Sequence, residues 1–295
     1  MATDERLDVR VVRDFGLSRR KAQDIIIAGQ VDVDRVCVRD TGHRVQAAQA
    51  VVHNPNRKRQ QAIRLSLGTA YLDDHLVVVH KPPGLLSVPT DAGAHDDNVL
   101  SRLRADFVRV RGARAYVGAL HRLDRGTSGL LAIALSRECH AAGRAGFREH
   151  AFLRRYLALV DGVPKKNEGT IDLPIADEYE AGKRHLARDD DEPSRHAVTH
   201  FRVKERFARA ALVEVELDTG RQHQIRLHLR AIGHPIMGDT VYGSSKPSAN
   251  PRPFLHASEL AFPHPIAGTM VECASAPPAD FAAALTRLAS GNRPH

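Results

Sequence analysis

His121-Arg122-Leu123-Asp124-Arg125-Gly126-Thr127-Ser128-Gly129-Leu130-Leu131 sets one carboxylate among polar and cationic neighbours, between two apolar runs. Tyr116-Val117-Gly118-Ala119-Leu120 leads in and the run from Leu130 to Leu135 leads out; both read as strands. A loop carried on strands holds a side chain in place while leaving it open to a substrate. An aspartate among Gly, Ser and Thr is, on its own, an ordinary turn residue. The surrounding chain therefore has to decide between a turn and a site.

Working outward, further strands are expected at Leu76 to His80, Tyr156 to Val160, Val198 to Val203 and Ala211 to Leu217. Helices are expected at Asn98 to Val110, Arg137 to His150, Gln222 to Ile232 and Ala279 to Leu288. Strands and helices mix without a regular βαβ repeat, which places the chain in the α+β class. Asp189-Asp190-Asp191-Glu192 reads as a solvated loop tip. The first 56 residues read as a compact module. Val9, Val12 and Phe15 lie along a first helix that Gly16 ends, and Ser18 caps a second helix running to Ala28. Gly29 closes that helix, and Val31, Val33 and Val36 begin a β segment. A polar, basic run follows, Asn54 to Gln61, and reads as a linker.

The 295 residues carry 43 Lys plus Arg against 35 Asp plus Glu, a net charge of +8. The first 60 residues hold 12 of the cations and 8 of the anions, half of that excess in a fifth of the chain. Such a balance suits a polyanionic partner. Three cysteines far apart, without a CxxC pair, give neither a disulfide framework nor a zinc site. The N-terminus lacks the apolar core of a signal peptide, and no run is long enough to span a bilayer. A reducing cytoplasm is the expected compartment.

The module resembles an S4 RNA-binding domain, carried by Arg6-Leu7-Asp8, Ser18-Arg19, Ala22, Ile25, Gly29, Val31 and Val33. The resemblance implies that Arg19, Arg20 and Lys21 face an RNA backbone, where a helix start adds its own positive potential. Asp34-Arg35 stands where that family usually has asparagine-glycine, and is less suited to a tight hairpin turn.

The string from His121 to Leu131 resembles, almost residue for residue, the catalytic motif of RluA-type pseudouridine synthases. These enzymes isomerise uridine to pseudouridine in RNA, and the motif's aspartate is their essential residue. An acidic residue more often fills the place of Gly126. Arg154-Arg155-Tyr156 resembles the family's lysine–spacer–tyrosine, with Arg154 in the lysine's place. Thr219-Gly220-Arg221-Gln222-His223-Gln224-Ile225-Arg226 matches a third block, with Gln222 where threonine is frequent. Lys81 to Pro89, Gly233 to Asp239 and Leu255-His256-Ala257 match others.

The resemblance implies a mixed, mainly antiparallel sheet bent around a basic cleft, with helices outside. Residues 1–56 would be the S4-like domain, 57–67 a linker and 68–295 the catalytic domain. Asp124, Tyr156 and Arg226 would be catalytic; Lys81, His121, Arg122, Arg125 and Arg221 would contact RNA, with Lys81 alternatively at the active-site loop and His121 and Arg122 alternatively bracing it; Leu255 would close the base pocket. The chemistry needs an everted base, a flat partner for it, a carboxylate, and a cation that keeps the carboxylate ionised. It needs no redox cofactor or metal. Ile225, Leu229 and Ile232 form a buried stripe that Arg226 flanks, so Arg226 is the expected partner of Asp124, with Arg221 as its rival. The expected substrate is RNA, first large-subunit ribosomal RNA with tRNA open, and the expected state a monomer. The competing reading is a noncatalytic RNA-binding or ribosome-assembly protein that keeps the fold. A glycoside hydrolase would need two carboxylates flanking the bond, and the Asp124 loop offers one.

Overall fold

The computed structural model describes residues 5–57, 65–89, 97–148, 152–180, 183–188, 193–243 and 252–291. The acidic tip at residues 189–192 and most of the expected linker lie outside them. Strand β1 (Glu5–Arg6) leads into helices α1 (Leu7–Phe15) and α2 (Arg19–Ile27). Short strands β2 (Val31–Val33), β3 (Val36–Cys37), β4 (Arg44–Val45) and β5 (Val51–His53) complete the module. Gly16 ends α1 in the left-handed conformation, and the Ser18 hydroxyl accepts from the Lys21 N–H at 3.3 Å. Leu7, Val11, Ala22, Ile25, Ile26, Val31, Val33 and Val45 form a core of their own.

Two expectations change here. Asp34 and Arg35 do form a tight two-residue turn between β2 and β3, with φ of 49° and 72°. Asp34 meets the strain with its carboxylate, which accepts from the Ala50 N–H and the Gln49 amide, each at 2.9 Å. The segment 57–67 is not all linker. Arg57 pairs with Asp32 at 2.6 Å in the module, while Leu67 is buried in the core of the second unit.

That unit holds β6 (Thr69–Leu72), β7 (Leu76–Lys81), α3 (Val99–Arg111), β8 (Gly118–Ala119), β9 (Ser128–Ala134), α4 (Arg137–Arg148), β10 (Leu153–Asp161) and β11 (Glu168–Asp172). It continues through β12 (Ile175–Ala176), β13 (Ser194–Arg195), β14 (Val198–Arg206), β15 (Ala210–Leu217), α5 (Gln224–Ala231), β16 (Leu255–Pro263), β17 (Met270–Ala274) and α6 (Ala279–Ala289). The main sheet runs β11-β14-β15-β10-β16-β9-β7-β6, with β17 added to β16 and β8 to β9. Every pairing in it is antiparallel except β16 with β9.

The central strands are apolar on both faces because both faces are covered. In β7 and β9, Val77, Val79, Leu131 and Ile133 pack toward α3, while Leu76, Val78, Leu130 and Ala132 join Cys139 and Phe152 on the other side. The parallel joint lies at the end of the Asp124 loop, pairing His256 with Ser128 and Ala257 with Gly129. On the far side of β16, Ala257 pairs with Tyr156, where Ser258 forms a bulge. Three strands thus bring Asp124, Leu255 and Tyr156 to one place. No helix among the described residues is long and apolar enough to cross a membrane.

Candidate active site

Asp124 sits on the loop between β8 and β9, and three neighbours fix that loop. The Ser87 hydroxyl donates to the Leu123 carbonyl at 2.7 Å and accepts from the Leu123 N–H at 3.0 Å. Gly84 and Arg125 exchange hydrogen bonds at 2.8 and 3.0 Å. Lys81, at the end of β7, donates its ammonium to the carbonyls of Pro82, Leu85 and Arg125 at 2.7–3.1 Å. Gly126 is required sterically, since a Cβ there would lie 2.7 Å from Pro253.

The loop faces a cavity of about 410 Å³. Asp124, Arg122, Tyr156, Leu255, Arg154, Arg221, His223 and Arg226 line it. Arg226 donates from Nη1 to Asp124 Oδ2 at 3.2 Å. Its other edge is committed to Asp239, Nε to Oδ2 at 2.7 Å and Nη2 to Oδ1 at 2.8 Å. Burial works against the Arg226 charge, and the two carboxylates more than offset it. Burial likewise opposes the Asp239 charge, but Arg226 and the N–H groups of Tyr242 and Val241 hold that carboxyl below the usual range. Arg226 also lies over the Tyr242 ring, 4.8 Å from its centroid.

Tyr156 is buried, and its hydroxyl makes no hydrogen bond among the described residues. Burial raises its phenol; Arg154 opposes that and the Asp124 charge adds to it. The Arg154 guanidinium donates to the carbonyls of Leu217 and Asp218, both at 3.2 Å, and fills the space a side chain at Gly220 would take.

The other expected RNA contacts separate. Arg122 is exposed at the cavity, and Arg125 is exposed but turned to Gly84. Arg221 lines the cavity with its guanidinium donating to the His196 carbonyl at 3.0 Å, so Arg226 and not Arg221 meets Asp124. Of the two places expected for Lys81, it takes the active-site loop: it is buried beneath the loop, its stem inside the sheet and its ammonium donating to carbonyls, so it braces the loop. Burial pushes it down to about 7, against the Asp124 charge. His121 takes the bracing role of its two expected ones. Its Nε2 accepts from the Ala132 N–H at 3.1 Å, its ring lies on Phe147, and burial pushes it down to about 3. It is a neutral brace in the cavity wall, not a cation for phosphate. Arg19, Arg20 and Lys21 are exposed on the first turn of α2, with Arg19 3.6 Å from Asp8.

Two residues at the site escaped the sequence reading. Asp239 ends the matched block Gly233 to Asp239, where nothing in the sequence marks it as the second partner of Arg226. His223 precedes α5 in a left-handed conformation, φ 59°. Its Nε2 is 3.9 Å from Asp124 Oδ1, and its Nδ1 is 2.8 Å from the Tyr242 hydroxyl. The nearest signal was the Thr219–Arg226 block itself. No group of three or more His, Cys, Asp or Glu side chains arranged to hold a metal occurs among the described residues.

A family model described as RNA pseudouridylate synthase matches residues 75–231. The chain is 34% identical over 292 residues to a protein of Zymomonas mobilis named ribosomal large subunit pseudouridine synthase D, covering 94% of this chain and 91% of that one. It is 38% identical over 214 residues to the dual-specificity RNA pseudouridine synthase RluA of Escherichia coli, covering 72% and 92%. Among solved structures it is similar to human RNA pseudouridylate synthase domain containing 4, with a TM-score of 0.63 at 25% identity, over 75% of this chain and 93% of that one. Sharing that family model over more than half its length, and over a third of its residues with these relatives, the chain belongs to the RluA family of RNA pseudouridine synthases.

Proposed function

We propose that this pseudouridine synthase modifies uridine in large-subunit ribosomal RNA, with Asp124 as its reacting carboxylate. The observation that carries the reading is the Asp124–Arg226 pair in a cavity lined by Tyr156 and Leu255. A uridine everted from its helix enters that cavity. Tyr156 and Leu255 hold the base, and Arg226 orients Asp124. The N1–C1′ bond breaks, the base turns, a C5–C1′ bond forms, the hydrogen on C5 leaves as a proton and N1 gains one. Attack by Asp124 at C6, attack at C1′, or its assistance to a glycal all use the same carboxylate.

The ribosomal target is supported by the Zymomonas relative, a protein named ribosomal large subunit pseudouridine synthase D, whose match covers 94% of this chain and so extends into the N-terminal module. That module acts as an S4-like grip, with Arg19, Arg20 and Lys21 on the phosphates. Arg122 and Arg221 extend the positive surface to the mouth of the cavity, forming a basic cleft. The enzyme acts as a monomer in the cytoplasm, an environment that suits three free thiols.

The test is tritium release from RNA labelled with [5-³H]uridine and extracted from a strain lacking the gene. The wild type releases tritium, and Asp124→Asn loses about 1,000-fold or more of that rate. An Asn variant as fast as the wild type overturns the assignment. Separating the labelled RNA into ribosomal and transfer fractions decides the target; release from tRNA alone overturns the ribosomal part.

A further inference from the structure

We propose that Tyr179 is a stacking platform for the RNA base that flanks the target uridine. The proposal rests on the reading of this cavity as the uridine site. Tyr179 belongs to the arm between β12 and β13, and it is 52% exposed. It joins none of the hydrophobic cores. The ring is nevertheless fixed at two points. Its hydroxyl donates to Gln222 Oε1 at 2.9 Å, and the Arg184 guanidinium lies over the ring, 4.3 Å from its centroid. Arg184 is itself anchored, donating to the carbonyls of Ala176, at 3.0 Å, and Asp177. An exposed tyrosine with its edge tethered and a cation against its face has given up its rotational freedom without gaining a core. Such a ring is preorganised for another flat group.

Its location says which group. Gln222 and Arg221 line the uridine cavity, and the same two residues line an adjoining hollow of about 210 Å³ with Arg184 and Arg195. Tyr179 is thus one hydrogen bond from the rim of the site. Everting a base leaves its neighbours without their stacking partner. An aromatic ring beside the cavity replaces that partner whatever the base, and a guanidinium against the ring adds to its hold. Two acidic groups of the arm's described residues are paired, Asp177 with Arg195 at 2.5 Å and Glu180 with Arg188 at 3.0 Å.

Three variants, Tyr179→Ala, Tyr179→Phe and Tyr179→Trp, test the proposal in the tritium-release assay on the same extracted RNA, with filter binding of that RNA alongside. Stacking predicts that Ala raises KM and Kd roughly tenfold at unchanged kcat, because the ring is lost. Phe and Trp stay near the wild type, because a ring is kept. Ultraviolet irradiation of the wild-type mixture links a nucleotide to Tyr179, read by mass spectrometry of the digested protein. If Ala binds RNA as well as the wild type, the proposal is overturned. If Phe fails as badly as Ala, the tyrosine only fastens the arm to Gln222, and the proposal is overturned as well. A wild type that binds RNA but releases no tritium counts against the catalytic reading, and the Tyr179 comparison is then read from affinity alone.

Discussion

Arg226 divides its guanidinium between two carboxylates, and the division is uneven. Asp239 takes two hydrogen bonds at 2.7 and 2.8 Å, while Asp124 takes one at 3.2 Å. Asp239 therefore sets where the guanidinium points and balances much of its charge, leaving Asp124 oriented but lightly held. Replacing Asp239 by Asn removes that balance and puts an amide N–H₂ against guanidinium donors. The expected result is a fall in kcat of roughly 10- to 100-fold with KM for RNA nearly unchanged, since a small misplacement at a reacting group is costly. Tritium-release kinetics measure it, and a variant with wild-type kcat would show that Arg226 needs no second carboxylate. The sequence made one half of this pair legible. Asp124 stands in an uninterrupted motif, and the Ile225–Leu229–Ile232 stripe tells which side of α5 faces inward. Asp239 was hidden because its partner is reached through a loop, and an isolated aspartate after glycine has no periodicity. His223 was hidden for another reason: the expected helix began at Gln222, and nothing local in a histidine announces the left-handed backbone that starts α5 two residues later.

Elements whose two faces are both buried were the readable ones. β7 and β9 are apolar runs bounded by turns, while β15, with Glu214 and Glu216 on its half-buried face, reads by alternation; each lies within a residue or two of its expected span. β11 and β17 are short, partly exposed edge strands with charged residues, and β16 begins beyond a break in the pattern. Their place is set by pairing partners distant in sequence, which no local window contains. The parallel joint shows the same dependence: a Cβ at Gly129 would lie 2.2 Å from the Ala257 carbonyl, so a glycine chosen by β16 reads locally as a turn residue. The β2–β3 turn holds a second prediction. Arg35 is exposed with φ 72°, a conformation that costs an L-residue about 1 kcal/mol. Arg35→Gly should raise the module's stability by about 0.5–1 kcal/mol in denaturant unfolding, and an unchanged or lower midpoint would refute the strain. Helix α1 holds a third. Asp8 has a buried side chain that accepts from Arg6 at 3.0 and 3.2 Å, and Arg6 above all holds it down to about 2. A carboxyl depressed in the folded state stabilises fully above its unfolded value near 4 and loses that contribution as pH falls toward 2. With Arg6 partly screened by water, about 1–2 kcal/mol should disappear across that window. The loss should be absent in Asp8→Asn.

The two cores are separate, yet the units meet along a short, polar seam on the turn between β6 and β7. Val38 bridges to Asp73, and the Arg39 N–H donates to the Leu72 carbonyl at 3.3 Å. The buried Arg39 guanidinium reaches across to Asp74 at 2.7 Å. Arg111, from the end of α3, approaches the same carboxylate at 3.3 Å and donates to the Asp74 carbonyl at 2.9 Å. One aspartate thus faces two cations brought from different units. The seam rests on a rigid base, because the buried Asp73 carboxylate accepts from the Tyr71 hydroxyl at 2.6 Å and from the N–H groups of His75 and Leu76, both at 2.7 Å. On the proposed reading, a module held this way presents its cations at a fixed distance from the cavity, and RNA engaging both sites would do so without the cost of ordering a loose tether. Asp74→Ala deprives Arg39 and Arg111 of that carboxylate together and leaves two like charges facing each other. The expected outcome is two calorimetric transitions where the wild type shows one, with KM for RNA raised roughly tenfold and kcat preserved, because the Asp124 loop lies on the other end of β9. A single transition at the wild-type temperature would mean that the backbone bridge alone holds the units, and an equal fall in kcat would mean that the seam reaches the reacting groups.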